Sequence, residues 1–233
     1  MTATRRLGYS WKRANDPGTR IGPMSRFGLR FPKGYWMEQI ELIQYATQTL
    51  EKLEVSYALV GSWGSGVYGE PRFTRDVDII LDLDETRISQ FCAAFPHDEF
   101  YISKEAVHEA VRTRSQFNVL HPDSGNKIDF ILTQPDPWRS SQLGRRRTHQ
   151  LRMGATHLDV FVAAPEDVIL GKLWYFSEGG GERHLRDIVG ILRVTGASLN
   201  RDLIEKWSGL LGVTEIWRQV VSQAESVRDP GSK

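Results

Sequence analysis

Residues 57–82 constrain the fold of this chain more than any other stretch. Their sequence is YALVGSWGSGVYGEPRFTRDVDIILD. A short apolar run stops at Gly61-Ser62, a glycine-punctuated segment follows, and Asp-Val-Asp at residues 76–78 opens a second apolar run. Short apolar runs bounded by turn-forming residues are typical of strands. The stretch therefore predicts a strand, a tight turn, a short helix, a loop and a second strand.

The two aspartates of this stretch predict a metal-binding face. Side chains alternate between the two faces of a strand, so Asp76 and Asp78 point the same way while Val77 points into the core. Neighbouring carboxylates repel each other, and a divalent cation between them removes that repulsion. Mg²⁺ is commonly bound by one or two carboxylates together with substrate phosphates. The pair indicates a site for Mg²⁺ or Mn²⁺, although aspartates in a strand are also often simply solvated.

Gly61-Ser62 is the predicted phosphate-binding turn. Glycine allows a close approach to the backbone, and the serine supplies a hydroxyl where a helix is predicted to begin, which is a favourable place for a phosphate. A Gly-Ser pair alone is often only a turn. The combination of strand, Gly-Ser turn, helix and Asp-x-Asp strand is far more specific than either motif by itself.

The order of these motifs resembles the nucleotidyltransferase superfamily typified by DNA polymerase beta. The pattern in that superfamily is Gly-Gly or Gly-Ser, a short spacer and Asp-x-Asp. The form here, Val-Gly-Ser followed by Tyr-Gly-Glu-Pro-Arg-Phe-Thr-Arg-Asp-Val-Asp, is most similar to the small prokaryotic branch that includes AbiEii-like toxins. Gly64-Ser65 is a second match with a shorter spacer, so Ser62 and Ser65 are both candidates for the phosphate contact. The resemblance covers roughly residues 37–190.

The resemblance implies a third carboxylate on a strand beside the Asp-x-Asp strand. Residues 116–132 predict a hairpin, with two strands joined by a Pro-Asp-Ser-Gly-Asn turn. On the return strand Asp129 faces away from its apolar neighbours, and a lone aspartate there is unfavourable unless it is paired, hydrated or bound to a metal. Asp159, in a later predicted strand at 158–163, is the alternative. We favour Asp129, because a hairpin next to the first two strands can bring it alongside them.

The C-terminal part of the sequence predicts helices only. Pro-Glu-Asp at 165–167 is typical of a first helical turn. In the AbiEii-like branch a helical lysine and an Arg-Asp or Lys-Asp pair complete the site. The resemblance implies that Lys172 neutralises triphosphate charge and that Asp187 orients a basic group or contacts the second substrate. That branch often has a further aspartate three residues on, where this chain has Gly190. Arg75, next to the first aspartate, and Asp187 are the candidate accessory residues.

Two basic segments bear on the acceptor. Residues 1–34 hold eight basic residues and one acidic residue without apolar periodicity, which predicts a flexible arm. Residues 138–152 hold five arginines. Either segment could contact RNA phosphates, and either could be a solvated tail or a solvated loop or helix face. RNA is therefore the mildly favoured acceptor.

The composition limits the remaining possibilities. The 233 residues are 40% hydrophobic and 25% charged with a net charge of +1, which is typical of a globular protein and provides no global basic field. The single cysteine, Cys92, excludes an intramolecular disulfide and lies in an apolar segment that predicts a core position. No apolar stretch is long enough to span a membrane and the N-terminus lacks a signal segment. We expect a cytoplasmic protein without membrane association.

These patterns together predict a mixed α+β fold in three parts. A basic flexible arm occupies 1–36, a nucleotidyltransferase core with a small mixed β-sheet flanked by helices occupies 37–163, and a helical region occupies 164–233. The predicted catalytic and metal-binding residues are Asp76, Asp78 and Asp129, and the predicted nucleotide-binding residues are Gly61, Ser62, Ser65 and Lys172.

The expected reaction is metal-dependent transfer of a nucleoside monophosphate from an NTP, such as ATP, to an acceptor. The acceptor could be RNA such as tRNA, a protein or a small molecule. The AbiEii resemblance also implies a toxin whose partner is an antitoxin protein. A non-catalytic nucleotide-binding or regulatory module on the same fold is the alternative.

Overall fold

A computed structural model describes residues 39–72, 74–153 and 156–226. The predicted basic arm at 1–36 lies outside these residues. The strands are β1 (Tyr57–Leu59), β2 (Asp76–Leu81), β3 (Gln116–His121), β4 (Asn126–Leu132), β5 (Arg147–Met153) and β6 (Thr156–Val162). The helices are α1 (Gln39–Lys52), α2 (Gly61–Tyr68), α3 (Ile88–Ala93), α4 (Lys104–Thr113), α5 (Pro137–Arg145), α6 (Pro165–Ser177), α7 (Arg183–Val194), α8 (Arg201–Leu211) and α9 (Thr214–Ser226). None of these helices has both the length and the apolar character needed to cross a bilayer.

The strands form one mixed sheet in the order β3-β4-β2-β1-β6-β5. Near its centre, β2 pairs antiparallel with β1 and parallel with β4. The β3–β4 and β5–β6 pairs are antiparallel, and β1 is parallel to β6. The hairpin that carries Asp129 therefore joins the sheet directly beside the strand that carries Asp76 and Asp78. The fold is mixed α+β.

An aromatic cluster fills the space between one face of the sheet and the helices α1 and α3. Alternation along β4 buries the ring of Phe130, which packs against Phe91 and Phe117 at centroid distances of 5.3 Å. Phe95 lies 6.1 Å from Phe130 and 5.7 Å from Tyr45 of α1. Such tilted and edge-to-face contacts add to the free energy gained by burying the rings. The cluster thereby fixes the apolar face of β4 and leaves its polar face on the other side of the sheet.

The helices α2, α6 and α7 pack together on the opposite side of the sheet. α2 contacts β2, and α6 and α7 both contact α2. Gly64 permits the close approach of α6, because a Cβ at residue 64 would lie only 3.1 Å from the side chain of Val168. α8 packs on α6 and α9 packs on α7, which completes this helical layer. The sheet thus lies between two layers of helices.

The end of α2 meets α7 at two glycines. A Cβ at Gly69 would lie 2.7 Å from the carbonyl carbon of Gly190, and a Cβ at Gly190 would lie 3.3 Å from the amide nitrogen of Glu70. A side chain at position 190 would therefore crowd the backbone of the chain leaving α2. The close approach of the two backbones accounts for glycine at residue 69.

Residues 138–152 agree with their sequence prediction only in the first half. The sequence predicts a solvated loop or helix face, and the structure has most of α5 followed by most of β5. β5 is an edge strand, and Leu151 is the one apolar residue among 147–152. An edge strand is open to solvent on one side and commonly carries charged residues, so the apolar alternation that reveals an inner strand is missing.

Replacing Phe130 with alanine should lower the free energy of unfolding by about 3–5 kcal/mol, because it removes a fully buried ring from the aromatic cluster. Urea unfolding followed by circular dichroism measures this change. Tyr101→Ala is the matched control, since Tyr101 is 60% exposed and its loss should cost less than about 0.5 kcal/mol. Equal losses in the two variants would contradict a core centred on Phe130.

Candidate active site

Parallel pairing of β2 with β4 brings the predicted aspartates together on one face of the sheet. Asp78 lies opposite Asp129 in the register, and Asp76 lies opposite Lys127. Because alternate residues of a strand share a face, the three carboxylates and the Lys127 side chain lie on the same side. The apolar neighbours Val77 and Phe130 lie on the other side and are fully buried. The structure therefore provides an acidic face built from two adjacent strands.

Asp78 carries a charge that its surroundings do not balance. The residue is partly buried, and no hydrogen-bond donor within the described part of the chain contacts its carboxylate. Burial raises the pKa of Asp78, and the nearby charge of Asp129 raises it further, while the ammonium group of Lys172 opposes the rise. A carboxylate in this state gains free energy by taking up either a proton or a cation.

The first residue of α2 lies directly against Asp78. Gly61 has a φ of +57°, and a Cβ at this position would overlap the Asp78 carboxylate. The amide of Val60 donates a hydrogen bond of 3.0 Å to the carbonyl oxygen of Asp78. Glycine is required at residue 61 for two reasons, the left-handed backbone and the missing space. The start of α2, whose first amides have no partner within the helix, therefore adjoins the acidic face.

A network of cations lies next to the start of α2. The carboxylate of Asp187 on α7 accepts a hydrogen bond of 2.6 Å from Lys172 on α6, and bonds of 2.9 and 3.2 Å from Arg72. Arg72 also donates to the hydroxyl of Ser62 at the start of α2. The side chains of Lys172 and Asp187 are 5% and 6% exposed, whereas that of Arg72 is 35% exposed. Two cations therefore contact one carboxylate.

Asp187 holds this network together. Burial lowers the pKa of Lys172, and the charge of Asp187 opposes this effect. Burial would raise the pKa of Asp187, but the hydrogen bond from Arg72 and the charge of Lys172 outweigh it, so the pKa is lowered. The ionised Asp187 therefore stabilises both the buried ammonium of Lys172 and the guanidinium of Arg72.

Lys127, which was not among the predicted site residues, lies between two predicted metal ligands. Its Nζ is 2.9 Å from the carboxylate of Asp129 and 3.6 Å from that of Asp76. The hydrogen bond to Asp129 raises the pKa of Lys127, and burial opposes the rise. The sequence did contain a signal for this residue, since position 127 precedes position 129 by two and must share its face of β4.

An exposed tyrosine borders the same acidic face. Tyr175 is 42% exposed, its ring stacks on His184 at 6.1 Å, and it contacts the edge of Trp174 at 5.0 Å. Burial raises the pKa of the Tyr175 hydroxyl, and the charge of Asp78 adds to this effect. The guanidinium of Arg139 lies 4.3 Å from the Trp174 ring centroid. In the sequence these residues have no pattern that distinguishes them from ordinary helix faces.

The remaining predicted residues lie outside this arrangement. The hydroxyl of the buried Ser65 is 3.1 Å from the carbonyl oxygens of Gly61 and Ser62, so it hydrogen-bonds within α2. Arg75 is exposed beside Asp76. Asp159 lies on β6, which β1 separates from β2, and it hydrogen-bonds to a glutamine of β5. Of the two candidate serines, Ser62 borders the cationic network.

The acidic face supplies an incomplete set of ligands for a divalent ion. No group of three or more carboxylate, imidazole or thiolate side chains in residues 39–72, 74–153 and 156–226 has the geometry of a complete metal site. Mg²⁺ commonly uses one or two carboxylates and takes the rest of its ligands from water and phosphate. The ammonium group between Asp76 and Asp129 shows that a cation is accommodated at this position. Asp78 and Asp129, with Asp76 at the rim, are the residues that could hold such an ion.

Comparison with solved structures finds nucleotidyltransferases at low similarity. An antigenic nucleotidyltransferase-like protein from Paracoccidioides brasiliensis is 22% identical with a TM-score of 0.43, covering 65% of this chain and 74% of its own. The antibiotic-resistance factor ANT(2″)-Ia, in complex with adenylyl-2″-tobramycin, is 14% identical with a TM-score of 0.48, covering 74% and 96%. The lincosamide antibiotic adenylyltransferase LnuA, with lincomycin bound, is 16% identical with a TM-score of 0.41, covering 69% and 99%.

No family model and no curated protein matches the chain. Similarity at these TM-scores carries no conclusion about activity, substrate or site residues. Function must therefore be inferred from the geometry of the site.

Asp78→Asn should stabilise the metal-free protein at neutral pH. Because the pKa of Asp78 is raised, the folded protein binds this proton more tightly than the unfolded chain does. The unfavourable contribution of the ionised group is absent below the unfolded pKa of about 3.9 and grows as the pH rises through the folded pKa. We expect the melting temperature of the variant in EDTA to exceed that of the wild type at neutral pH, and the difference to shrink under acidic conditions. A pH-independent difference for Asp78→Asn would contradict the prediction.

Asp187→Ala should lower the free energy of unfolding by about 3–5 kcal/mol, because it leaves the Lys172 ammonium buried without its carboxylate. Adding Lys172→Met to this variant removes the uncompensated charge and should restore part of the lost stability. Urea unfolding of the single and double variants measures both effects, with Asp98→Ala as the exposed control. If the second substitution lowers stability further, Asp187 does not act through Lys172.

Proposed function

We propose that this chain is a metal-dependent nucleotidyltransferase that moves a nucleoside monophosphate from an NTP to an acceptor hydroxyl and releases pyrophosphate. The observation that carries the proposal is the pairing of Asp78 with Asp129 on adjacent parallel strands, with Gly61 pressed against the Asp78 carboxylate. Burial and the charge of Asp129 both raise the pKa of Asp78, and the nearby Lys172 and Lys127 offset this only in part, so the paired carboxylates are unfavourable for stability alone. They become favourable when a cation and phosphate oxygens share the site.

The triphosphate lies, in this proposal, along the start of α2 beside the cationic network. The amides at the start of α2, the Ser62 hydroxyl and the Arg72 guanidinium form the donors for phosphate oxygens. Lys172 was predicted from the sequence to neutralise the triphosphate. Lys172 is almost fully buried against Asp187, whereas Arg72 is partly exposed. In this proposal Arg72 therefore contacts the phosphates directly, and Lys172 contributes positive charge without contacting them.

Asp76, Asp78 and Asp129 hold Mg²⁺ or Mn²⁺ in this arrangement. A bound divalent ion stabilises charge on the transferring phosphate and lowers the pKa of the acceptor hydroxyl. Asp129 orients that hydroxyl and accepts its proton as the new bond to the α-phosphorus forms. The bond from the α-phosphorus to the bridging oxygen breaks, and Arg72 and the α2 amides stabilise the charge that collects on pyrophosphate.

Arginines of the basic segment at 138–152 form ion pairs within the protein, which bears on the choice of acceptor. The basic segment at 138–152 suggested RNA, but Arg139 and Arg145 form salt bridges with Asp136 and Asp167. Arg147 lies 3.6 Å from Glu166. RNA is therefore less favoured than the sequence indicated, and a protein or small-molecule hydroxyl that passes the exposed ring of Tyr175 is equally compatible with the site. The toxin role, the antitoxin partner and the cytoplasmic location stay predictions.

A second candidate function is nucleotide binding without catalysis. The salt bridges of Lys127 to Asp129 and Asp76 favour it, because a lysine in this position neutralises carboxylates that a catalytic metal would need. The two functions differ in whether the NTP is cleaved, since a binding module leaves it intact.

The proposed reaction can be tested with each NTP labelled at either the α- or the γ-phosphate, incubated with Mg²⁺ or Mn²⁺ and a total RNA, protein or metabolite fraction. Nucleotidyl transfer labels the acceptor from the α-phosphate alone, whereas phosphoryl transfer labels it from the γ-phosphate. Asp78→Asn and Asp129→Asn should each lower transfer by at least about a hundredfold, a range typical for loss of a transition-state charge contact.

Asp159→Asn is the matched control, because Asp159 is the other strand aspartate considered for the third ligand and should leave transfer unchanged. NTP binding without label transfer to any fraction would favour the non-catalytic module. Transfer that persists in Asp78→Asn would overturn the proposed site.

A further inference from the structure

We propose that Lys127 is a built-in counter-ion that occupies the metal position of the acidic face and must leave before a divalent ion binds. This inference rests on the proposed function, since it concerns the same carboxylates. It adds a residue that the sequence motifs do not include. Its consequence is that metal loading depends on an exchange of one cation for another.

The position of the ammonium group follows from the strand register. Lys127 lies opposite Asp76 on β2 and two residues before Asp129 on β4, so its side chain rises from the same face between the two carboxylates. Nζ lies 2.9 Å from Asp129 and 3.6 Å from Asp76, at 29% exposure of the side chain. A flexible lysine at the edge of this face could extend into water, and it folds back onto the carboxylates instead.

The ammonium and a divalent ion compete for the same oxygens. The oxygen lone pair of Asp129 that accepts the hydrogen bond from Lys127 cannot at the same time coordinate a metal ion. Metal binding in the absence of nucleotide is therefore weakened by the loss of these salt bridges. When an NTP is present, its phosphates supply a new partner for the displaced ammonium, and the four-carbon stem of lysine allows that movement.

The same contact stabilises the metal-free protein. Asp76, Asp78 and Asp129 bring three negative charges onto two adjacent strands, and Lys127 is the cation in direct contact with two of them. Removing the ammonium increases their mutual repulsion until a metal binds. A variant without this charge should therefore melt earlier in EDTA and gain more from added metal than the wild type does.

The test is a titration of the full-length protein with Mn²⁺, without nucleotide, in which electron paramagnetic resonance reports the free ion. Lys127→Met keeps the length of the side chain and removes its charge. We expect its Mn²⁺ dissociation constant to fall about fivefold, the factor that corresponds to a solvent-accessible ion pair. Lys127→Arg keeps the charge and should bind Mn²⁺ as the wild type does. Lys104→Met removes an exposed lysine from α4 and should have no effect.

The outcomes separate this inference from the proposed function. Tighter Mn²⁺ binding in Lys127→Met alone, abolished by adding Asp78→Asn, supports the counter-ion role. Equal or weaker binding in Lys127→Met overturns that role while leaving the acidic face as a metal site. Absence of Mn²⁺ binding in every variant, with and without a non-hydrolysable NTP analogue, overturns both. Thermal melts in EDTA and in Mn²⁺ provide a second readout, and an unchanged melting temperature for Lys127→Met in EDTA would also count against the counter-ion.

Discussion

The backbone pairing of β2 with β4 is the interaction on which the rest of this structure depends. Its register places Asp78 opposite Asp129 and, one residue further along each strand, Ile79 opposite Phe130. One face of the same two strands is therefore acidic and the other is fully apolar. A slip by one residue would move the carboxylates into the aromatic cluster, where burying a charge costs far more than the pairing gains. The apolar core thus fixes the geometry of the site through the alternation of the strands.

Negative and positive side chains near the start of α2 come from different secondary-structure elements. The strands supply carboxylates that lack a full set of partners, and α6, α7 and the loop after α2 supply two cations around Asp187. An isolated buried ion pair is weak support for stability, because desolvation offsets most of the attraction. The contacts of Lys172 and Arg72 with Asp187 place two cations beside the start of α2. Negatively charged carboxylates and positively charged side chains therefore both lie near Gly61.

The sequence predicts those parts of the fold and site that have local patterns. The alternation around residues 76–82 and the turn residues of the β3–β4 hairpin define strands without knowledge of their partners. The placement of Asp129 beside Asp78 depends on which edge of the sheet the hairpin joins, and that came from the resemblance to a superfamily. β5 carries no alternation, so its segment was interpreted as a loop or helix face.

The cationic network could not be predicted in the same way. Arg72 lies in an irregular loop and meets a partner 115 residues later in the chain, and no periodicity connects the two. Lys127 is a different case, because its face was determined by the strand that was predicted correctly. The pattern does not predict whether the Lys127 ammonium extends into water or contacts the neighbouring carboxylates, because this depends on the electrostatics of the assembled sheet.

The contact between Gly69 and Gly190 has a consequence for how this site can change during evolution. Arg72 follows the first glycine by three residues, and Asp187 precedes the second by three, so the bare backbone contact sets the distance between the guanidinium and its carboxylate. A methyl group at residue 69 would overlap the backbone of α7, whereas one at residue 190 would require only a small shift. A side chain at residue 69 would therefore push the loop away from α7 and change the position of Arg72, so the effect of the substitution would reach the cation that the loop carries.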